Sequence, residues 1–151
     1  MSATSRLREL GITLPEPSTP AASYVMSKRS HDLLFLSGHI ARRDGKVVLG
    51  RFGEDLERED GYALARLVAI DLLASASAAL GSPDRIASVV KVTGFVSSAP
   101  AFFDQPFVVN GASELLVEVL GDKGKHARSA VGVAALPLGA ALEIEAVVAS
   151  E

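Results

Sequence analysis

The residues best suited to chemistry in this chain lie near its end, between positions 126 and 145. Arg128 opens a β-rich run, a Leu-Pro turn interrupts that run, and Glu143 stands on the run that returns. A guanidinium has a permanent charge and a planar fork of donors that matches a carboxylate. A glutamate can accept a proton or orient a water molecule. This pair indicates a site for a small organic acid, although arginine and glutamate on strands also often lie at a solvated surface.

The spacing of the two residues argues against their meeting within one chain. Suppose that the last two strands form a hairpin centred between Leu138 and Gly139. Glu143 then faces Ala134, and Arg128 lies roughly 20 Å farther along, at about 3.3 Å per residue. A shared site would need a bent or differently registered strand, or a neighbouring copy of the chain. Because closed homo-oligomers are common, assembly between subunits is the simpler hypothesis.

These residues need a scaffold, and the pattern of the chain predicts alternating strands and helices. Strands are predicted over residues 33–38, 46–49, 87–97, 129–136 and 142–149, and helices over 61–80 and about 107–120. The first strand is expected to be buried and to end at Ser37-Gly38. Asp60 is a candidate N-cap for the first helix, which Gly81 and Pro83 end. This order predicts an α/β or α+β fold, with a single sheet and both helices packed on one face.

Two further segments complete the expected organisation. Residues 1–22 are predicted to form an N-terminal arm, a short helical turn followed by a Pro-rich connector, ahead of a single domain over residues 23–151. The polar stretch 42–60, which contains three glycines, predicts a hairpin and a long loop.

Composition excludes several classes of function. The net charge is −3, aromatic residues make up 5% and Trp is absent, so neither the basic surface nor the stacking platforms of a nucleic-acid-binding protein are expected. Without Cys, the chain has no disulfides, Cys-bound zinc or thiol catalysis. The three histidines lack the spacing of a metal site, so no metal or other cofactor is expected. No apolar leader or membrane-spanning run is evident, which makes a cytoplasmic location the expectation.

Three polar residues outside the last quarter have ordinary structural interpretations. Tyr24 lies in the connector, where an amphipathic ring often packs at an edge. Ser37 precedes a glycine at the end of a predicted strand, which is typical of a turn. Asn110 lies near the start of the second helix, where an amide can cap backbone donors.

Taken together, these segments resemble the Rid family of reactive imine/enamine deaminases, historically the YjgF family, whose members are often named translation inhibitors or endoribonucleases. The matching pieces occur in the family's order over about residues 22–148: Tyr24, LLFLSG at 33–38, the helix at 63–82, VVKVTGFV at 89–96, FVVN at 107–110, ARS at 127–129, LP at 136–137 and EIE at 143–145. Any one piece is weak, but the ordered set is specific. The long loop and the sequence from 110 to 133 look like a longer-chain subgroup of that family.

This resemblance implies a chorismate-mutase-like subunit, a homotrimer, and ligand clefts between neighbouring subunits. It assigns Arg128 to the grip on the substrate carboxylate and Glu143 to the positioning or activation of water. Tyr24, Ser37 and Asn110 match residues that line the same cleft. The implied reaction is hydrolysis of a 2-imino or enamine acid to a 2-oxo acid and ammonia, without metal or organic cofactor.

The chain departs from the family pattern at three places. Members with demonstrated deaminase activity commonly have Cys two residues beyond the arginine, where this chain has Ala130. The usual Gly-Pro before the tyrosine is Ala22-Ser23. The loop between Gly38 and Gly61 is longer, which would reshape the mouth of the cleft.

Three hypotheses follow for the function. The leading one is an imine/enamine hydrolase that uses Arg128 and Glu143. The second is a non-catalytic trimeric sensor or scavenger, whose arginine clefts bind 2-oxo acids or related small carboxylates without needing Glu143. The third, an RNA-directed nuclease, is disfavoured because the chain is acidic and poor in aromatic residues.

Overall fold

The structure is a computed structural model that describes residues 1–151. Its helices are α1 (Ala3–Glu9), α2 (Arg58–Leu80) and α3 (Gln105–Leu120). Its strands are β1 (Ser27–Ser30), β2 (Leu33–Ile40), β3 (Arg42–Arg43), β4 (Lys46–Val47), β5 (Ile86–Ser97), β6 (Ala127–Val133) and β7 (Leu142–Ser150). Short 3-10 turns occupy Pro83–Arg85, Gly121–Gly124 and Pro137–Gly139.

The main sheet has five strands in the order β1-β2-β7-β5-β6. β6 runs parallel to β5, and every other neighbouring pair in this sheet is antiparallel. A strand, a helix and a second strand tend to form a parallel crossover unit, and β5-α3-β6 is such a unit. β2-α2-β5 is a second one, which β7 splits by pairing with both of its strands.

The hairpin expected from the last two strands is wrong. β5 lies between β6 and β7, and the two closing strands do not pair with each other. The expectation treated neighbours in sequence as neighbours in space. The crossover through α3 instead places β6 beside β5, and the connection around Pro137–Gly139 carries the chain past β5.

One face of the sheet is covered by helices and the other is open. Along β7 the side chains of Leu142, Ile144 and Ala146 are buried towards α2 and α3, whereas Glu143 and Glu145 point to the other side. This alternation follows from the two-residue period of a strand. The prediction of one sheet with both helices on one face is therefore confirmed.

The two long helices are close to their predicted bounds. α2 begins at Arg58, and its N-cap is Glu57 rather than Asp60, whose side chain accepts a hydrogen bond from the Glu57 backbone N–H at 2.9 Å. Asp60 is thus the third helical residue of a capping box. Gly81 ends α2 in the left-handed conformation, as expected.

α2 is long and apolar enough to cross a membrane by length and composition alone. The core helix of a globular domain passes the same test, and 56% of the relevant window of α2 is buried within the fold.

The strand predicted to end at Ser37-Gly38 instead continues to Ile40. Its pairing with β7 shifts register between Leu36 and His39, which is a β-bulge. The strand is also buried on one side only, because Phe35 between two buried leucines is 46% exposed on the open face. The continuous apolar sequence of this strand therefore does not show that its side chains alternate between the buried and the open face.

The segment predicted as an N-terminal arm begins with α1. Ala3 and Leu7 on this helix belong to the main hydrophobic core. Thr4 also bonds through its hydroxyl and its backbone N–H to the Asp84 carboxylate, at 2.8 and 2.9 Å. The start of the arm is therefore packed against the sheet-and-helix core.

Candidate functional site

Arg128 is the second residue of β6 and lies beside Val92 of β5. Val92 is fully buried beneath the helices, so the Arg128 side chain is on the helix face of the sheet. There its Nη1 donates to Asn110 Oδ1 at 2.8 Å and to Ser113 Oγ at 3.2 Å. Its Nη2 donates to the Pro106 carbonyl at 3.2 Å. The first turns of α3 therefore hold the guanidinium.

These contacts leave part of the guanidinium free. Arg has five N–H donors in a rigid plane. The three protein bonds occupy both hydrogens of Nη1 and one of Nη2. The donors that remain are Nε–H and one Nη2–H, on the two nitrogens of one guanidinium edge, and such an edge can bind one carboxylate. Burial lowers the pKa of Arg128, but a guanidinium stays charged in a protein.

The carboxylates near Arg128 are occupied by other partners. The guanidinium faces a pocket of about 610 Å³, whose lining includes Glu114 and Glu118. Glu114 accepts a hydrogen bond from the Tyr62 hydroxyl on α2. Glu118 accepts two bonds of 3.1 Å from Arg66. Arg128 itself forms none of the salt bridges of the structure, so its charge remains available to a ligand.

A hydrogen-bonded chain continues from Arg128 through Ser113 to His126. Ser113 Oγ lies 2.9 Å from His126 Nε2, and His126 Nδ1 lies 2.6 Å from the Gly124 carbonyl oxygen. A carbonyl can only accept, so Nδ1 carries a proton. In the neutral ring Nε2 is then the acceptor of the Ser113 hydroxyl. Sequence reasoning missed both residues, although Ser113 stands one helical turn after Asn110 on the same face.

Glu143 lies on the open face, in a cleft of about 280 Å³. Its carboxylate sits against Gly38 of the β2 bulge, where a Cβ would collide with it. Tyr24 and Arg42 contribute to the same cleft. Burial, and secondly the charge of Glu145, raise the pKa of Glu143 above its ordinary value. A carboxylate in this state is suited to holding a proton transiently.

Tyr24 also borders a second pocket on the open face, of about 600 Å³, together with Ser37. The Ser37 hydroxyl donates to the Val25 carbonyl at 2.6 Å, which ties the bulge to the connector. The Tyr24 hydroxyl accepts a bond of 3.4 Å from the Ala21 backbone N–H. Tyr24 therefore links the cleft of Glu143 with the pocket of Ser37.

The structure brings the predicted site residues together in two groups. Arg128 and Asn110 form one group on the helix face, and Tyr24, Ser37 and Glu143 form the other on the open face. In the sheet, Glu143 is level with Phe95 of β5, three residues beyond the level of Arg128. The two groups thus lie on opposite faces of one subunit, with a strand between them.

Asn110 has a different role from the cap considered above. α3 begins at Gln105, so Asn110 lies inside the helix. It presents its amide oxygen to Arg128 instead of to the helix start.

No three His, Asp or Glu side chains come together in a geometry that could hold a metal ion. Two of the histidines are committed to other contacts. His39 is buried and bonds to Ser75 Oγ at 2.7 Å, and His126 bonds to Ser113.

Residues 4–148 match the family model described as "YjgF/chorismate mutase-like, putative endoribonuclease". Protein TCP17 of Trypanosoma cruzi is 44% identical over 146 residues, which cover 95% of this chain and 91% of that protein.

Two solved structures are similar over nearly the whole chain. Atu1372 from Agrobacterium tumefaciens, a protein of unknown function, has 43% identity and a TM-score of 0.91, and the match covers 99% of this chain and 92% of that one. A protein from Shewanella oneidensis MR-1 that carries the same endoribonuclease description has 27% identity and a TM-score of 0.94, with 99% of each chain covered. The chorismate-mutase-like fold expected from the sequence is confirmed.

Proposed function

We propose that this chain, which belongs to the YjgF/chorismate-mutase-like family, is a deaminase of the Rid type and of its longer-chain subgroup. Its reaction is the hydrolysis of small 2-imino or enamine acids to 2-oxo acids and ammonia. The observation that carries this proposal is the state of Arg128. Its guanidinium is held in place by α3, has no carboxylate partner, and keeps two adjacent donors for a ligand.

We further propose that the active site is shared between subunits of a homotrimer. Arg128 and Glu143 occupy opposite faces of one subunit, so a single small substrate cannot contact both within one chain. The open face carries exposed apolar side chains, among them Phe35 at 46% and Val131 at 42% exposure. Apolar surface of this kind often marks an interface. Contact between the open face of one subunit and the β6 edge of the next would bring the Glu143 cleft near the neighbouring arginine.

In this mechanism Arg128 fixes the substrate and Glu143 handles the proton. The two free donors pair with the substrate carboxylate, and such a contact contributes on the order of 1.5–3 kcal/mol. Glu143 accepts a proton from water as the water oxygen bonds to the C=N carbon, and it passes this proton to the imine nitrogen. In the resulting carbinolamine the hydroxyl proton moves to the nitrogen through Glu143, the C=O bond forms, and the C–N bond breaks to release ammonia. General acid–base assistance adds about 100- to 10,000-fold to the rate.

The chemistry assigned to these residues needs no thiol. Ala130 follows Arg128 on the same face of β6, at the position of the family cysteine. With a methyl group there, substrate binding depends on the arginine fork and proton transfer depends on the carboxylate.

The test uses 2-imino acids generated in situ from amino acids by an amino-acid oxidase, with semicarbazide to trap the remaining imine. We expect the protein to divert imine to 2-oxo acid, and Arg128→Lys to lose most of this activity because an ammonium lacks the planar fork. Arg85→Lys is the matched control, since Arg85 also bonds to backbone carbonyls but lies outside the site. Full activity of Arg128→Lys would contradict the proposed role of the arginine.

Glu143→Gln separates the enzyme from the sensor. We expect this variant to keep its affinity for a short 2-oxo acid and to lose turnover. A parent protein that binds 2-oxo acids tightly but hydrolyses no imine would favour the non-catalytic sensor or scavenger, which uses the same arginine. Strong RNA cleavage by metal-stripped protein, abolished by Arg128→Ala, would favour the nuclease instead.

A further inference from the structure

We infer that Ser113 and His126 are positioning residues for Arg128, and that they hold its free donors in the orientation that a carboxylate requires. This inference rests on the proposed role of Arg128 in carboxylate binding. It assigns a function to a hydrogen-bonded chain that runs from the Gly124 carbonyl through His126 and Ser113 to the guanidinium.

The Gly124 carbonyl, at the end of this hydrogen-bonded series, determines which group donates in each bond. The Gly124 carbonyl accepts a hydrogen bond from Nδ1–H of His126, which in the neutral ring leaves Nε2 as an acceptor. The Ser113 hydroxyl donates a hydrogen bond to Nε2, at an oxygen–nitrogen distance of 2.9 Å. The lone pairs of Ser113 are then free to accept from Arg128 Nη1 at 3.2 Å. Without the ring, the hydroxyl could rotate and turn its proton towards the guanidinium.

Gly124, at the end of the hydrogen-bonded series, is held rigidly. Gly124 is buried beneath α3, and a Cβ at this position would overlap the Leu116 backbone carbonyl. The Gly124 carbonyl is therefore held against the same helix that carries Ser113 and Asn110. Ser113 on α3 bonds to His126, His126 bonds to Gly124 in the 3-10 turn, and Gly124 packs against α3 again.

Arg128 needs this support because it stands on an edge strand. β6 has a neighbour on one side only, so the long arginine side chain is not enclosed by a second strand. Ser113 supplies the second acceptor for Nη1. With two acceptors on this nitrogen, the plane of the guanidinium is held in one orientation. A side chain ordered before binding loses less conformational entropy when the ligand arrives.

The charged residues near Arg128 do not take over the role of Ser113 and His126. Lys125 lines the same pocket but forms an ion pair of 2.8 Å with Asp122. Glu114 and Glu118 are bound by side chains of α2. Ser113 is therefore the only side chain that links His126 to the guanidinium.

The first experiment measures binding of 2-oxobutyrate by calorimetry and imine hydrolysis by kinetics. Because Ser113 acts on the ligand only through Arg128, Ser113→Ala is expected to cost no more than one ordinary hydrogen bond: Kd and KM rise about 2- to 12-fold, with kcat changed less than about twofold. His126→Phe, which retains a ring of similar size, shifts the same constants in the same direction. Ser113→Thr keeps the hydroxyl and restores them. Lys123→Ala, on the same 3-10 turn but outside the pocket, is the control for simple charge attraction, and we expect it to change Kd by less than twofold.

The second experiment needs no ligand. In ¹⁵N NMR spectra of the free protein, we expect resolved Nη signals for Arg128, because three hydrogen bonds at its Nη atoms slow rotation of the group. Ser113→Ala removes one of these bonds and His126→Phe weakens it, so both variants should shift the Nη signals towards averaging. Thermal unfolding confirms that both variants are folded.

The outcomes separate this inference from the proposed function. If Arg128→Ala abolishes binding but Ser113→Ala and His126→Phe match the parent, positioning is refuted and carboxylate binding stands. If the parent binds no 2-oxo acid, the proposed function fails. The NMR comparison then decides the inference alone, and unchanged Nη signals in both variants overturn it.

Discussion

At the scale of single residues, the neutrality of the groups around Arg128 matters as much as the charge of the arginine. Its protein partners are an amide, a hydroxyl and a backbone carbonyl, and none of them carries a charge. The nearby carboxylates are bound to Tyr62 and Arg66 instead. The positive charge is therefore oriented without being neutralised, which is the condition for binding an anion.

Asn110→Asp tests this point with a nearly isosteric change. A carboxylate 2.8 Å from Nη1 would pair with the guanidinium and compete with the ligand. We expect Kd for 2-oxobutyrate, measured by calorimetry, to rise at least about tenfold, because charge-assisted bonds contribute about 1.5–3 kcal/mol. Asn110→Ala, the control, removes an acceptor without adding charge and should have a smaller effect. Equal affinities of Asn110→Asp and the parent would mean that the arginine does not bind the ligand.

Glu143 carries an electrostatic cost that pH can reveal. Because burial raises its pKa in the folded chain, the native state binds the proton more tightly than the unfolded state. The contribution of Glu143 to the free energy of unfolding should therefore fall as pH rises from the ordinary glutamate value towards the raised one, and stay lower above it.

Glu143→Gln removes this cost because an amide does not ionise. We expect the variant to be more stable than the parent in urea unfolding at pH 7, and the difference to shrink at pH 4. Glu9→Gln, at an exposed position on α1, serves as the control and should show no such trend. Comparisons must be made at equal protein concentration, because self-association also stabilises a fold. A variant less stable than the parent at pH 7 would contradict the expectation that ionised Glu143 destabilises the fold.

At the scale of elements, the site depends on how closely the two long helices approach each other. Gly111 of α3 lies against the backbone of α2, where a Cβ would overlap the Tyr62 carbonyl. Gly111 follows Asn110 directly and precedes Ser113 by two positions. The close crossing of the helices therefore sets the height of both Arg128 acceptors above the sheet.

Gly111→Ala should destabilise the fold although alanine is the better helix former. Overpacking a tight contact costs about 1–3 kcal/mol, and the colliding atoms belong to backbone that cannot easily move. Chemical denaturation would measure this loss. Val117→Ala on the solvent side of α3 is the control, with an expected change within about 0.5 kcal/mol. Unchanged stability of Gly111→Ala would show that the helices can separate without cost.

At the scale of the whole molecule, the separation of the two groups of site residues is the main constraint. Arg128 faces the helices, and Glu143 faces the open side of the sheet. A site that uses both groups requires a second copy of the chain. The sequence-based argument reached the same requirement from a hairpin that does not exist, so the structure supplies a different reason for it.

A charged substitution on the open face tests the assembly. We expect Val131→Glu to shift the protein from the proposed trimer towards monomer in analytical ultracentrifugation and to lower imine hydrolysis in parallel. The physical reason is that an unpaired carboxylate in an apolar interface loses its hydration without compensation. Leu10→Glu, at an exposed apolar position at the end of α1, should leave both unchanged. A parent protein that is monomeric and fully active would exclude the shared site.

The features that the sequence determined by itself are those encoded over short distances. Apolar spacing located both long helices to within a few residues, and Gly81 marked the end of α2 because left-handed backbone suits glycine. The ordered motifs also led to the correct family, since a series of weak matches in order is specific. The capping role of Asp60 and the end of β2 were wrong by a few residues, as a capping box and a bulge leave little trace in periodicity.

Only the tertiary structure decided the order of the strands and the face on which each functional side chain lies. β7 pairs with β2 and β5, which are distant in sequence, and local pattern carries no information on such partners. The chain from Arg128 through Ser113 to His126 likewise depends on α3 crossing above β6. Hydrogen bonds between separate elements form only after those elements pack, so the positioning of the arginine is a property of the packed molecule.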